Sequence, residues 1–126
     1  MTARILVTGS RTWDDRATLE DALLDAWNDA MEAGFPAPGI VVVHGACPRG
    51  ADALADAWAR EMGLPVEPHP ADWQQHGKRA GFLRNQHMVD LGADVALAFI
   101  RDGSAGATHT AAAAERAGIP TRRFTA

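Results

Sequence analysis

The chain has 126 residues, 47% of them hydrophobic, and a formal net charge of −4. This length and composition fit a single folded domain, residues 1–126, with a hydrophobic core. The acidic balance argues against broad nucleic-acid binding, and the lone Cys47 excludes an intrachain disulfide framework and a cysteine-based zinc site.

The apolar segments of the sequence are all too short to cross a bilayer. The N-terminal segment MTARILVTGS has too short an apolar run for a secretory signal, with no small-residue cleavage site after it. We therefore expect a soluble, cytoplasmic protein without a membrane partner. The five histidines have no metal-ligand spacing, so we expect no metal site.

Strands and helices alternate along the first half of the chain. The predicted elements are a strand at 4–8, a helix from 14 or 15 to about 33, a strand at 40–43, a helix at 51–62 and a short strand at 65–69. Leu19, Leu23 and Trp27 recur at helical spacing in the first helix. Gly34 and the FPAPG surface loop at 35–39 end that helix.

The second half of the chain continues the alternation. Its predicted elements are a helix at about 81–91, a strand at 94–100, a helix at about 106–117 and a last strand at 121–124. Pro65 and Pro68 cannot donate to a ladder, which predicts an edge position for the third strand. The charged TRRF strand suits the other edge. The fold class is therefore α/β, with helices on both faces of a parallel sheet of about five strands, in the order 3-2-1-4-5.

This strand order reverses between strands 1 and 4, and ligands of such sheets bind beyond the carboxyl ends of the strands at that point. Four loops follow those ends: 9–13, 44–52, 70–85 and 101–108. They carry the cations Arg11, Arg49, Lys78, Arg79 and Arg84. Because acidic residues instead crowd the first helix, the pattern predicts an anion pocket at this edge.

The first two loops have residues suited to an anionic ligand. Gly9, Ser10 and Arg11 offer free backbone N–H groups, a hydroxyl and a planar guanidinium to a phosphate, although an ordinary βα turn has the same sequence. Gly45 and Gly50 bracket the second loop, where Asp52 either caps the helix or binds a ribose hydroxyl. His44 is interpreted as a buried, hydrogen-bonded side chain in preference to a ligand contact, and Cys47 as a small turn residue.

The fourth loop carries Gly103 and Gly106 before Thr108, at the start of a helix. These residues suit a phosphate held by backbone N–H groups and the Thr108 hydroxyl; the alternative is a glycine loop with Thr108 as the helix N-cap. Trp13 and Trp73 could each stack on a base, but packing is the commoner role of a large aromatic side chain.

Together these segments resemble the YspA-like (cpYpsA-related) branch of the SLOG superfamily. The resemblance rests on VTGSRTWDDR, VVVHGACPRGADALADAWARE, PADWQQHGKRAGFLRNQHMVD and AFIRDGSAGATHTAAAAERAGIP. It implies a Rossmann-like three-layer α/β/α sandwich that binds a nucleotide-derived ligand such as NAD, ADP-ribose or a nucleoside monophosphate. The site residues that it implies are Gly9, Ser10, Arg11, Gly45, Gly50, Ala51, Asp52, Arg84, Asn85, Gly103, Gly106 and Thr108.

The same superfamily includes the Lonely-guy (LOG) phosphoribohydrolases and the single-strand DNA-binding DprA proteins. LOG enzymes carry a PGGxGTxxE motif, and Ala111 stands where its Glu would be. Ligand binding by a sensor or sequestering domain is therefore the leading hypothesis. Hydrolysis of a nucleoside monophosphate by Arg84, with Asp52 or Glu115 replacing the Glu, is the first alternative. Binding of single-stranded DNA is the second.

The predicted helix at 81–91 also suggests self-association. His87, Met88 and Leu91 recur at helical spacing, which predicts a homodimer or higher homo-oligomer through this helix. The same spacing fits Met88 and Leu91 facing the sheet.

Overall fold

Five strands form a parallel sheet in the described part of the chain. They are β1 (Ala3–Gly9), β2 (Ile40–His44), β3 (Val66–Pro68), β4 (Val95–Ile100) and β5 (Thr121–Thr125). Their order, β3-β2-β1-β4-β5, confirms the predicted topology and the α/β class. The computed structural model describes residues 2–34 and 39–126, so the FPAP part of the predicted loop lies outside the described residues.

The helices follow the strands as predicted, with one addition. They are α1 (Arg16–Glu32), α2 (Ala51–Glu61), α3 (Trp73–His76), α4 (Ala80–Leu91) and α5 (Ala105–Arg116), and a 3-10 turn spans Gly77–Arg79. The sequence pattern did not predict α3, because four residues are too few for a periodicity. The Asp72 carboxylate starts this helix by accepting a hydrogen bond from the Gln75 N–H at 3.0 Å.

The helices cover both faces of the sheet. Successive side chains of a strand point to opposite faces. Val7 and Val42 accordingly pack among the buried side chains of α1 and α2, including Leu23. Leu6 and Val43 pack on the other face against α4 and α5. This layering leaves the carboxyl ends of the strands as the open edge where loops meet.

The two edge strands carry the features that predicted them. Pro68 lies in β3, which pairs with β2 alone. In β5, Arg122 contacts Asp29 at 2.6 Å and Arg123 contacts Glu115 at 2.6 Å. These ion pairs tie the charged edge strand to helices on either side of the sheet.

The predicted dimer contact through Met88 in helix α4 is wrong. Met88 is 1% exposed and packs in the core against the sheet, so it cannot form a surface contact between copies. Helical spacing alone could not decide this, because it fixes which residues share a face and leaves open which face meets the sheet. Homodimerisation stays a prediction; the exposed large apolar residues of α4 are Phe82, Leu83 and Leu91.

Two further observations concern the described residues 2–34 and 39–126. None of their helices combines the length and the hydrophobicity that crossing a membrane requires. Within the same ranges, His, Cys, Asp and Glu side chains form no group of three or more that could hold a metal ion.

Candidate functional site

A cleft of about 1180 Å³ opens at the carboxyl ends of the strands, where the strand order reverses. Its volume suits a small-molecule ligand. Eight of the predicted site residues line it: Gly9, Ser10, Arg11, Gly45, Asp52, Arg84, Asn85 and Gly106. Gly50, Ala51, Gly103, Thr108 and Glu115 are not among its lining residues.

In the first loop, the Arg11 guanidinium is free to bind a ligand, whereas the Ser10 hydroxyl is hydrogen-bonded within the protein. Ser10 is buried, and its Oγ accepts the Arg101 backbone N–H at 2.9 Å, which joins the ends of β1 and β4. Arg11, by contrast, is exposed on the cleft, and its guanidinium has no hydrogen-bond partner among residues 2–34 and 39–126. Arg11 is therefore available to an anionic ligand, whereas Ser10 holds the cleft floor together.

Gly50 holds the first two loops together. Its φ of +75° is costly for residues with a Cβ, and a Cβ there would collide with the Ser10 carbonyl oxygen. The same carbonyl accepts the Ala51 N–H at 3.3 Å. Gly50 and Ala51 thus set the position of the α2 N-terminus behind the cleft wall.

Arg84 is anchored by loops from two neighbouring strands. Its Nη1 donates to the carbonyl oxygens of Gly45 and, at 3.2 Å, of His69, and its Nε donates to the Asn85 Oδ1 at 2.7 Å. A Cβ on residue 45 would lie 2.7 Å from Nη1, so the guanidinium occupies the space that glycine leaves. The Arg84 Nη2 has no partner in the described part of the chain, which leaves two N–H donors for a ligand.

Asp52 is the one carboxylate among the lining residues of the cleft. It is 7% exposed, and its Oδ2 accepts the Cys47 N–H at 3.3 Å. Burial raises the pKa of Asp52, although this hydrogen bond and the nearby Arg84 charge act in the opposite direction. Burial likewise lowers the pKa of Arg84; the Asp52 charge opposes that change and the Arg11 charge adds to it.

His44 supports the second loop from behind. Its ring is 2% exposed; Nδ1 accepts the Ala46 N–H at 2.9 Å, and Nε2 lies 2.7 Å from the Asp56 Oδ2. The interpretation of His44 as a buried, hydrogen-bonded side chain is therefore correct. Its bond holds Ala46 at a φ of +58°, a conformation that residues with a Cβ seldom adopt.

The fourth loop brings the start of α5 to the cleft. Ser104 is the N-cap, and its side chain makes no capping hydrogen bond. Ser104, Gly106 and Ala107 line the cleft at the end of the helix where backbone N–H groups lack helical partners. Thr108 is neither the N-cap nor a lining residue: it is exposed, and its N–H bonds to the Ser104 carbonyl at 3.1 Å. A serine just before an Ala-rich helix was the available signal for this cap.

Gly103 and Glu115 lie outside the lining of the cleft. Gly103 has a φ of +64° in the turn before α5. Glu115 is exposed, and its carboxylate pairs with Arg123. The structure does not bring Glu115 together with Arg84 and Asp52.

Positive charge dominates the cleft lining. Its cationic side chains are Arg11, Arg49, Lys78 and Arg84, against the single buried Asp52. Clefts lined by charge of one sign concentrate ligands of the other sign. The arrangement can therefore hold an anion with several oxygen atoms.

The two loop tryptophans have different environments. Trp13 is 3% exposed, lies 5.4 Å from Phe99 between ring centroids, and donates its Nε1–H to the Asp15 carbonyl at 3.0 Å. Trp73 is 51% exposed and lines the cleft. Packing therefore accounts for Trp13 and does not account for Trp73.

A polar network on the α4 side supports the third loop. Arg4 makes two hydrogen bonds of 2.8 Å to the Glu67 carboxylate, which also lies 2.7 Å from the His69 Nε2. The hydrogen bond with Arg4, followed by that with His69, lowers the pKa of Glu67 to about 2. Because the His69 carbonyl accepts from Arg84, this network connects the edge strand to the cleft.

Comparison with protein families gives a match over residues 3–76 to the family described as YspA, cpYpsA-related SLOG. That match covers more than half of the chain, from β1 through α3. The chain belongs to the YspA, cpYpsA-related SLOG family. The Gene 61 protein of Mycobacterium phage D29 is 50% identical in an alignment of 126 positions, which covers 96% of this chain and 95% of the relative. No solved structure matches the chain.

Membership in the SLOG family points to nucleotide-related binding or processing. The matched residues include the first two loops of the cleft and the start of the third. Helix α4, with Arg84, and the fourth loop follow the matched segment.

The Glu67 network yields a pH-dependent prediction. The pKa of the Glu67 carboxyl group is lowered from 4.5 to about 2. The carboxylate therefore stabilises the fold above pH 4.5, and this contribution is lost as the pH falls toward 2. Glu67→Gln should lower the free energy of unfolding at pH 7 by about 1 kcal/mol or less, since the pair is partly exposed. Denaturant unfolding across this pH range measures the difference from the unsubstituted protein, which should shrink below pH 4.5.

Glu32→Gln, at an exposed position at the end of α1, is the control. It should change neither the free energy of unfolding at pH 7 nor the dependence of that free energy on pH. A difference for Glu67→Gln that stays constant down to pH 2 would contradict this account of the network.

Proposed function

We propose that this SLOG protein binds a nucleotide or nucleotide-derived ligand in the cleft, as a sensor or sequestering domain. The observation that carries the proposal is the concentration of free cationic groups around one cleft. Arg11 and the Nη2 of Arg84 have no hydrogen-bond partners in the described residues, and the charge of Arg11 contributes to lowering the pKa of Arg84. A bound anion would offset this repulsion, because its negative charge attracts both guanidiniums.

The start of α5 supports a phosphate subsite beside Arg11. The N–H groups of the first helical turn are free of helical partners, and the helix dipole adds positive potential there. The Ser104 hydroxyl, unused as a cap, supplies a further donor. Ser10 links the two loops that carry these groups, so Arg11 and the α5 N-terminus share one wall. In this proposal Asn85 and Asp52 contact the sugar.

Calorimetric titration with AMP, cyclic AMP, ADP-ribose and NAD tests the proposal. At least one ligand should bind, and Arg11→Gln should weaken it about ten-fold or more, the usual effect of losing a hydrogen bond from a charged group. The matched control is Arg116→Gln, which removes an equal charge from the far end of α5. Folded protein that binds none of the four ligands would contradict the proposal, as would equal effects of the two substitutions.

A second candidate function is hydrolysis of the N-glycosidic bond of a nucleoside monophosphate. Asp52 favours it, because a buried carboxyl group with a raised pKa in a cleft is suited to proton transfer. Asp52 would protonate the base as the N-glycosidic bond breaks, and a water molecule would add to the anomeric carbon and release a proton to solvent. Arg84 would orient the sugar phosphate. Glu115, the other carboxylate considered for this role, is paired with Arg123 away from the cleft.

Chromatographic detection of free adenine after incubation with AMP tests this candidate. Asp52→Asn should reduce the rate of release about 100-fold or more while AMP binding persists, since general acid catalysis contributes on this scale. If Asp52→Asn releases adenine at an unchanged rate, Asp52 takes no part in the reaction. If the unsubstituted protein releases no adenine, binding is left as the function.

A further inference from the structure

We propose that Trp73 is the base-stacking residue of the cleft and that the preferred ligand therefore carries an aromatic base. This inference rests on the proposed nucleotide-binding function and assigns one half of the cleft to the base. Trp73 opens α3, the short helix that the sequence pattern did not predict.

The exposure of Trp73 is the first observation. Its side chain is 51% exposed, whereas Trp13 and Trp58 are each 3% exposed. Leaving a large aromatic ring half in water forgoes much of the free energy that its burial would give. Within the described residues, Trp73 is not part of the hydrophobic core. Its position is instead explained by its location on the cleft.

The ring is also held in a defined position. The Asp72 carboxylate caps α3 by accepting the Gln75 N–H, which fixes the backbone that carries Trp73. The Trp73 Cη2 atom lies 3.4 Å from the point that a Cβ on Gly81 would occupy, so one ring edge rests against α4. A ring fixed at its edge and exposed elsewhere presents a flat surface at little entropic cost on binding.

The third loop gives Trp73 both apolar and cationic neighbours along the chain. Pro70, Ala71 and Lys78 line the cleft near Trp73 in sequence, whereas the Phe82 ring packs edge-on against His109 of α5, with 5.0 Å between ring centroids. Ser10, Thr12 and Ser104 line the part formed by the loops after β1 and β4. The loops that carry Arg11 and Trp73 follow β1 and β3, two strands whose ends are roughly 10 Å apart, a distance that an extended nucleotide can bridge.

The test compares AMP with ribose 5-phosphate, which share the sugar phosphate and differ by the base. Trp73→Leu should weaken AMP binding at least about five-fold, the lower end of measured base–aromatic stacking, and should leave ribose 5-phosphate binding unchanged. Trp73→Phe should retain most of the AMP affinity because it keeps an aromatic face. AMP should quench the tryptophan fluorescence of the unsubstituted protein, and this quenching should be absent in Trp73→Leu.

Leu91→Ala is the matched control, because it removes an equally exposed apolar side chain that does not line the cleft. Should Trp73→Leu weaken both ligands equally, or neither, the stacking role is overturned while the proposed nucleotide binding stands. Should the unsubstituted protein bind neither ligand, both the stacking role and the proposed binding of mononucleotides are overturned.

Discussion

The half-buried guanidinium of Arg84 is the interaction on which the cleft depends. It donates to the carbonyl oxygens of Gly45 and His69, and so joins the loops after β2 and β3 to helix α4. Burying this charge lowers the pKa of Arg84, an effect that the nearby Asp52 carboxylate opposes. The absence of a side chain at residue 45 provides the space for the guanidinium. Arg84 therefore organises one wall of the cleft and still has its Nη2 donors available.

The polar groups around Arg84 have two different roles: some hold the loops in place, and others are free to bind a ligand. Ser10 and His44 were both candidates for ligand contact, yet their polar atoms bond to neighbouring backbone or carboxylate groups and hold the loops in place. Arg11 and the N-terminal N–H groups of α5 have no such commitments in the described residues. Arg84 has both roles, whereas Arg11 is proposed to bind the phosphate and holds no part of the cleft in place, so substitutions at Arg11 can change affinity without unfolding the protein.

The sequence predicted the sheet well because strand order depends on strong local constraints. Pro65 and Pro68 limit β3 to an edge, and wholly apolar runs fill the centre. It predicted the residues of the cleft less well, because loops place side chains through contacts that have no period. Thr108 lies one turn too far along α5, Met88 faces the sheet, and nothing in sequence separates the buried Trp13 from the exposed Trp73. Family membership points to nucleotide-related binding or processing and says nothing about these side-chain positions, which only the structure gives.

The most direct test of the account is a crystal structure of the protein with the tightest-binding of AMP, cyclic AMP, ADP-ribose and NAD. We expect a phosphate within hydrogen-bonding distance of Arg11 and the first N–H groups of α5, with the base against the face of Trp73. A nucleotide bound outside the cleft, or one whose phosphate lies beside Trp73 and whose base lies at the start of α5, would contradict it.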